Sequence, residues 1–276
     1  MPNIYSDEFS KLEHEGWSRV TDHYESTWAN LTRQFIGPLL DAVDIQSEMQ
    51  VLDIACGPGY VSQDIHQRKA IATGLDFSAA MIAKAKHLFP QVHFVEGDAQ
   101  QLEFPEETFD RVVMNFGMSH LVKPHQAITE ACRVLKKGGR YGFTVWAGPE
   151  LSPVAKVMND SIIQFADQSI KMPEAPAHYL FSDEQLCRNT LAELGFSPSS
   201  ITFELYEIEW RVPTADYYFE SEMRVGVRTV AFLKRQTPET LDSIKSSVVE
   251  KMKQFFDGEM YRLKFCGCVI SVMKHT

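Results

Sequence analysis

Between residues 51 and 146 short apolar runs alternate with helix-forming stretches, and the first run, Val51-Leu52-Asp53-Ile54-Ala55, breaks on Cys56-Gly57-Pro58-Gly59. Strands joined through helices pair in parallel, so this alternation predicts a mainly parallel sheet covered on both faces. The pattern predicts strands over 51–55, 71–77, 92–95, 111–116 and 141–146. It predicts helices over 60–68, 79–88 and 124–136, with Ser78 capping the second and Gly138-Gly139 ending the third.

Upstream, Trp17, Val20, Tyr24, Trp28 and Leu31 recur at steps of three and four, which predicts an amphipathic helix over 8–36, followed by a short one over 38–43. Downstream, Pro149, Pro153, Pro173 and Pro176 interrupt 148–179, which reads as an excursion rather than one helix. Ser182-Asp183-Glu184-Gln185 reads as a capping box opening a helix to Leu194. Strand patterns occupy 201–212 and 261–273, and 213–258 reads as helices in pieces, with Thr237 a cap and Pro238 the first helical position.

Acidic residues outnumber basic ones, 37 against 27, for a net charge of -10. A protein that wraps nucleic acid usually carries a basic stripe to neutralise phosphates, so nucleic-acid partners are not expected. No stretch approaches the apolar length that crosses a bilayer, and the first eight residues include the acidic Asp7 and Glu8 where a leader would be basic; a cytoplasmic location is the expectation. The five cysteines are scattered without metal-site or disulfide spacing, so free buried thiols and no metal are expected, with Cys266 and Cys268 on one strand face.

Three features carry chemistry. The glycines of Cys56-Gly57-Pro58-Gly59 allow a sharp turn and close backbone approach to a ligand, and the amides opening the next helix can receive a carboxylate. Asp76 ends the second strand, where a carboxylate can accept from both hydroxyls of a ribose; a plain helix N-terminal acid is the alternative. Glu96-Gly97-Asp98-Ala99 closes the third strand, where Asp98 can accept from an adenine amine and the Ala99 amide can donate to the ring; a surface turn is the alternative. Together they imply a nucleoside with a small head group. A dinucleotide fingerprint would close on glycine or alanine where this chain has Ser62, so a nicotinamide-dependent oxidoreductase is the lesser reading.

The segments VLDIACGPGY, GLDFSAAMIAKAK, VEGDAQQLEFPEETFD and ACRVLKKGGRYGFTVW resemble the class I S-adenosylmethionine-dependent methyltransferases. Within them the chain is similar to the ubiquinone/menaquinone-biosynthesis C-methyltransferase-like (methyltransferase type 11) group. The resemblance implies a Rossmann-like α/β fold, with a seven-stranded, mostly parallel sheet whose last strand is antiparallel. It places a cofactor-binding core at 45–147 and a helical lid at 1–44. The rest of the sheet would lie within 148–276, with lid insertions at 148–181 and 213–258. It implies S-adenosylmethionine as cofactor, Asp53, Ala55, Gly57 and Gly59 at its methionine end, Asp76 on the ribose, and Phe77, Met81, Asp98 and Ala99 around the adenine. Asn115 and Phe116 would border the sulfonium. Ala55 departs from the family, which often has glycine there; alanine fits only where the backbone avoids positive φ.

The expected reaction is in-line methyl transfer to oxygen, carbon or nitrogen of a small molecule. His120, just past the fourth strand, is the candidate general base, since an imidazole titrates near neutrality; a structural loop histidine is the alternative. Trp17, Tyr24, Trp28 and Trp146 can offer aromatic faces to the cation or simply fill core, and Met118 is assigned to the substrate side. A cofactor-binding regulatory or assembly protein without transfer, and a cofactor-assisted rearrangement, stand as rivals; a homodimer is left open.

Overall fold

The structure, a computed structural model, describes residues 8–25 and 27–275. Residues 1–7, the start of the expected lid, lie outside the described residues. The first half carries α1 (Glu8–Tyr24), α2 (Ala29–Thr32), α3 (Ile36–Ala42), β1 (Gln50–Ile54), α4 (Tyr60–Gln67), β2 (Ile71–Asp76), α5 (Ala79–Leu88), β3 (His93–Glu96) and β4 (Phe109–Asn115). Then come α6 (Pro124–Val134), β5 (Leu135–Trp146), α7 (Pro153–Phe165), α8 (Glu184–Glu193), β6 (Thr202–Val212), α9 (Tyr217–Val225), α10 (Val227–Leu233), α11 (Pro238–Met252) and β7 (Tyr261–Met273).

The seven strands form one sheet in the order β3-β2-β1-β4-β5-β7-β6. β1 to β5 pair in parallel, and β7 runs antiparallel to both β5 and β6, with Trp146 opposite Gly267. Helices cover both faces, which is why Val51, Leu52 and Ile54 of the central β1 are all fully buried, interrupted only by the buried Asp53. Their alternate side chains feed two apolar cores, one on each side of the sheet. The order reverses between β1 and β4. At such a point the chain leaves in opposite directions from neighbouring strand ends and opens a crevice there.

Several local expectations are corrected. The stretch 8–36 is broken into α1, α2 and a tight turn ending at Phe35. The helix α6 stops at Val134, and Gly138-Gly139 lie inside β5, where the pairing with β4 shifts register between Phe109 and Arg111 and Gly138 takes φ +71. Helix α8 is capped by Asp183, whose carboxylate accepts from the Leu186 amide, so the cap sits one residue later than Ser182. The excursion 148–179 contains the helix α7, because Pro153 occupies its first turn, where a missing N–H costs nothing. Ser78 and Thr237 cap α5 and α11 as expected, each hydroxyl accepting from an amide three residues on.

Ala55 has φ +56, against the expectation that alanine requires negative φ there. The strand must turn at once: the Cys56 amide is still bonded to Leu75 while the Gly59 amide closes onto the Cys56 carbonyl. Packing overrides the steric preference, at a cost of about 1–2 kcal/mol. Phe116, ending the adjacent β4, also has φ +56. Two strained residues at neighbouring strand ends mark the mouth of the crevice.

Candidate active site

A cavity of about 570 Å³ opens at these strand ends. Its floor is the turn after β1. Gly57 (φ +51) lines it, with no atom within 4 Å of where a Cβ would stand, so its backbone is open to a ligand. The Gly57 amide donates to Asp76 Oδ2 at 2.8 Å and the Ser78 amide to Oδ1 at 2.9 Å. Two donors thus fix the carboxylate from behind, while Asp76 itself lines the cavity. Burial pushes its carboxyl up to about 6, against the pull of those amides and of His120.

Asp98 and Ala99 line the same cavity, with Asp98 Oδ1 accepting from the Gln100 amide at 2.8 Å. The two carboxylates therefore share one cleft. Ala55, Phe77 and Met81 line it too, with Met81 held at the start of α5 by Ser78. Asn115 spans to the N-terminal segment: its Nδ2 donates to the Thr32 carbonyl at 3.1 Å, and its Oδ1 accepts from Thr144 at 2.7 Å. Phe116 stacks on Trp146 at 4.1 Å between ring centres, with Phe35 edge-on at 4.9 Å.

Three nominated residues do not reach the cavity. Asp53 is fully buried under the first turn of α4; its Oδ2 accepts from Ser62 Oγ at 2.6 Å and its Oδ1 has no partner. Gly59 faces the core instead: a Cβ there would meet Phe94 Cζ at 2.6 Å and Ala85 Cβ at 3.2 Å. Met118 turns into the apolar core on the far side of the sheet. Ser62, which broke the dinucleotide pattern, is the hydroxyl that satisfies Asp53.

These placements give two tests. Gly59→Ala adds both a φ of +88 and a clash, and is expected to cost about 2–3 kcal/mol in urea unfolding. Gly57→Ala shares the positive-φ penalty, about 1–2 kcal/mol, but meets open space, so it is expected to cost less than Gly59→Ala while losing ligand affinity. Equal destabilisation of the two would refute the distinction. Burial pushes the Asp53 carboxyl up to about 7, so the folded state holds a proton that the unfolded carboxylate would release at about pH 4. The contribution of this group to stability is therefore full at acid pH and lost as pH rises through about 7. Asp53→Asn is expected to melt above the unmutated protein near pH 8.5, with the gap shrinking as pH falls to about 4; a lower melting temperature at the alkaline end contradicts this.

The N-terminal helix closes the cavity. Gly16 meets Val227 so closely that a Cβ would stand 2.4 Å from it, and α1 packs on α5, α9 and α10. Trp17 sits edge-on to His120 at 4.9 Å and to Tyr24 at 5.6 Å, while Tyr24 shares a 2.9 Å hydrogen bond with Thr32. Trp17, Tyr24, Trp28, Trp146 and His120 all line the cavity.

His120 is not alone. Its Nδ1 lies 2.8 Å from Glu13 Oε2, which also accepts from the Trp17 indole at 3.2 Å, and Glu13 Oε1 accepts from Arg228 Nε at 3.2 Å. Glu13 is 1% exposed. Beside this group burial, with His120 and Arg228 nearby, pushes the His178 imidazole down to about 4, so it stays neutral. Sequence reasoning missed Glu13, Arg228 and a further lining acid, Glu222. One signal for Glu13 was present: it lies on the apolar stripe of α1 with Phe9, Trp17 and Val20, where a charge demands a partner.

Residues 51–139 match a family described as a methyltransferase domain. The demethylmenaquinone methyltransferase of Renibacterium salmoninarum is 29% identical over 178 residues, 61% of this chain and 75% of that protein. Among solved structures, a Bacillus halodurans chain described as a methyltransferase superposes with a TM-score of 0.56 at 20% identity, covering 88% of this chain and 100% of that one. The Haemonchus contortus phosphoethanolamine N-methyltransferase 2, in complex with S-adenosylhomocysteine, gives a TM-score of 0.51 at 16% identity, covering 88% of this chain and 53% of that one.

Proposed function

This chain is a class I S-adenosylmethionine-dependent methyltransferase of the ubiquinone/menaquinone-biosynthesis C-methyltransferase-like group, and from that premise we propose that it methylates a small molecule enclosed beneath α1. One observation carries the reading: Gly57, Asp76 and Asp98 border a single closed-over cavity large enough for a nucleoside and an acceptor together. The cofactor fits what the residues leave open. Gly57 offers an uncovered backbone, and Asp76 keeps lone pairs on oxygens already fixed by two amides.

In this reading Asp76 holds the ribose, Phe77 and Met81 pack on the adenine, and Asp98 with the Ala99 amide reads its edge. Ala55 and Gly57 take the methionine end, and Asn115 and Phe116 border the reacting atoms. S-adenosylmethionine supplies a methyl group already activated by its sulfonium charge. The chain's own work is to orient the acceptor and exclude water, and alignment of this kind is worth about 7–11 kcal/mol. The stacked Phe116 and Trp146, with Trp28 and Tyr24, wall the reacting end. Segment 45–147 carries the cofactor, while α1 and the insertions at 148–181 and 213–258 close over it. The net charge of -10 supports a metabolite over nucleic acid as acceptor. Among the described residues no helix is long and apolar enough to cross a membrane, which supports the cytoplasm as its place of action.

His120 is the proton acceptor in this scheme. Glu13 on Nδ1 fixes the ring and stabilises the imidazolium that forms. His120→Ala is expected to lower the rate about 100-fold while S-adenosylhomocysteine affinity stays within about twofold. An unchanged rate would reduce His120 to a prop for α1. The reading as a whole is tested by calorimetry and by transfer of labelled methyl groups into a metabolite extract. Binding of S-adenosylhomocysteine without NADH binding, plus label in a metabolite, supports it. NADH binding in its place overturns it, and cofactor binding without label identifies a regulator.

A further inference from the structure

A further carboxylate lines the cavity without a countercharge. Glu222, on α9, is 8% exposed and lines the cavity. It folds over the joint between α9 and α10 so closely that a Cβ on Gly226 would stand 2.2 Å from its Oε1. Among the described residues no lysine, arginine or histidine forms an ion pair with it; Arg228, on the next helix α10, is committed to Glu13. The groups that favour its charged form are neutral, Thr229 and Trp28, while burial opposes it. The Trp28 indole N–H beside it is itself buried without a completed hydrogen bond.

With neutral partners only, burial pushes the Glu222 carboxyl up toward its protonated form, and a cation brought by a ligand would favour its charge. The surroundings say which kind. Tyr218 and Tyr179 both feel the Glu222 charge and both line the cavity. Tyr218 sits edge-on to Trp28 at 6.2 Å and to Phe265 at 5.5 Å. Ring faces attract cations and give neutral donors no such gain, and the carboxylate repels anions. This part of the cavity adjoins the reacting end: Trp28 meets Trp146 at 5.7 Å, and Trp146 in turn stacks on Phe116.

We propose that Glu222, Trp28, Tyr179 and Tyr218 form a recognition subsite for a positively charged amine, a quaternary ammonium included, carried by the methyl acceptor. The proposal rests on the methyl-transfer reading and names the substrate class within it.

The test uses the full chain saturated with S-adenosylhomocysteine, choline as probe, and its neutral isostere 3,3-dimethylbutan-1-ol, read by tryptophan fluorescence at constant ionic strength. Choline is expected to half-saturate at a concentration at least about tenfold below the alcohol. Glu222→Gln keeps size and hydrogen-bonding atoms and is expected to bring the two within about threefold, with S-adenosylhomocysteine affinity unchanged. The alcohol matching choline in the unmutated protein, or neither perturbing the fluorescence, overturns the proposal independently of how the variant folds. So does a Glu222→Gln protein that binds S-adenosylhomocysteine and keeps the tenfold preference. If Glu222→Gln weakens S-adenosylmethionine but not S-adenosylhomocysteine, the carboxylate serves the sulfonium and the subsite is refuted. Failure of the unmutated chain to bind S-adenosylhomocysteine at all sinks the methyl-transfer reading instead.

Discussion

Replacing Asp76 by alanine is expected to weaken S-adenosylhomocysteine binding roughly 1,000-fold. Each charge-assisted hydrogen bond from a ribose hydroxyl is worth about 1.5–3 kcal/mol, and Asp76 is positioned to accept two. The Gly57 and Ser78 amides already hold the carboxylate in place, so no ordering cost is left to binding. Alanine also orphans those two amides, and Asp76→Asn separates the effects, since it keeps an acceptor but loses the charge. It is expected to lie between the two in affinity. Calorimetry alongside thermal melts checks both.

The same residue gives opposite pH trends in two measurements. Its carboxyl is pushed up to about 6 by burial, so the folded protein takes a proton there more readily than the unfolded chain. In the ligand-free protein this group therefore adds stability on acidification and loses it as pH rises through about 6. Ligand binding needs the carboxylate, so affinity should fall as pH drops below about 6. An affinity flat between about pH 5 and pH 7.5 would remove Asp76 from the ribose.

Legibility in the sequence followed the reach of each signal. The strand β7 and the helix α5 were readable at both ends, and β2 and α4 nearly so, because period and caps are local. The strain at Ala55 was not, because the turn there is set by the bond of the Cys56 amide to the Leu75 carbonyl, a contact between neighbouring strands. Asp53, Gly59 and Met118 were nominated by motif position, and a motif does not say which face of a turn a side chain takes. Asp53 ties α4 to β1 through Ser62, and Gly59 lets the start of α4 close on Phe94 of β3 and Ala85 of α5. Pro153 was read as a breaker because a proline signals a boundary without saying on which side of it the helix lies. Glu222 and Arg228 come from a segment with no periodicity in common with α1, and only tertiary packing brings them to the cavity.

Removing the Glu13 carboxylate is expected to cost roughly 3–5 kcal/mol of stability, since Glu13→Ala strips the partner from a buried pair. Arg228 would keep its bonds to the carbonyls of Pro176 and Ser119 and its place over the Phe9 ring at 4.3 Å. None of these neutralises it, and burial already holds its guanidinium below its usual value. The double variant Glu13→Leu with Arg228→Met removes both charges and is expected to recover a large part of the loss in urea unfolding. A single variant within about 1 kcal/mol of the unmutated protein would show the pair to be solvated. Rate measurements add a readout that a purely structural role would not move. If Glu13 acts on the reaction by orienting His120, Glu13→Ala lowers the rate in the unmutated background and adds nothing once His120 is alanine. Independent, additive losses would mean that the carboxylate only pins α1 over the cavity and that the imidazole needs no orienting partner.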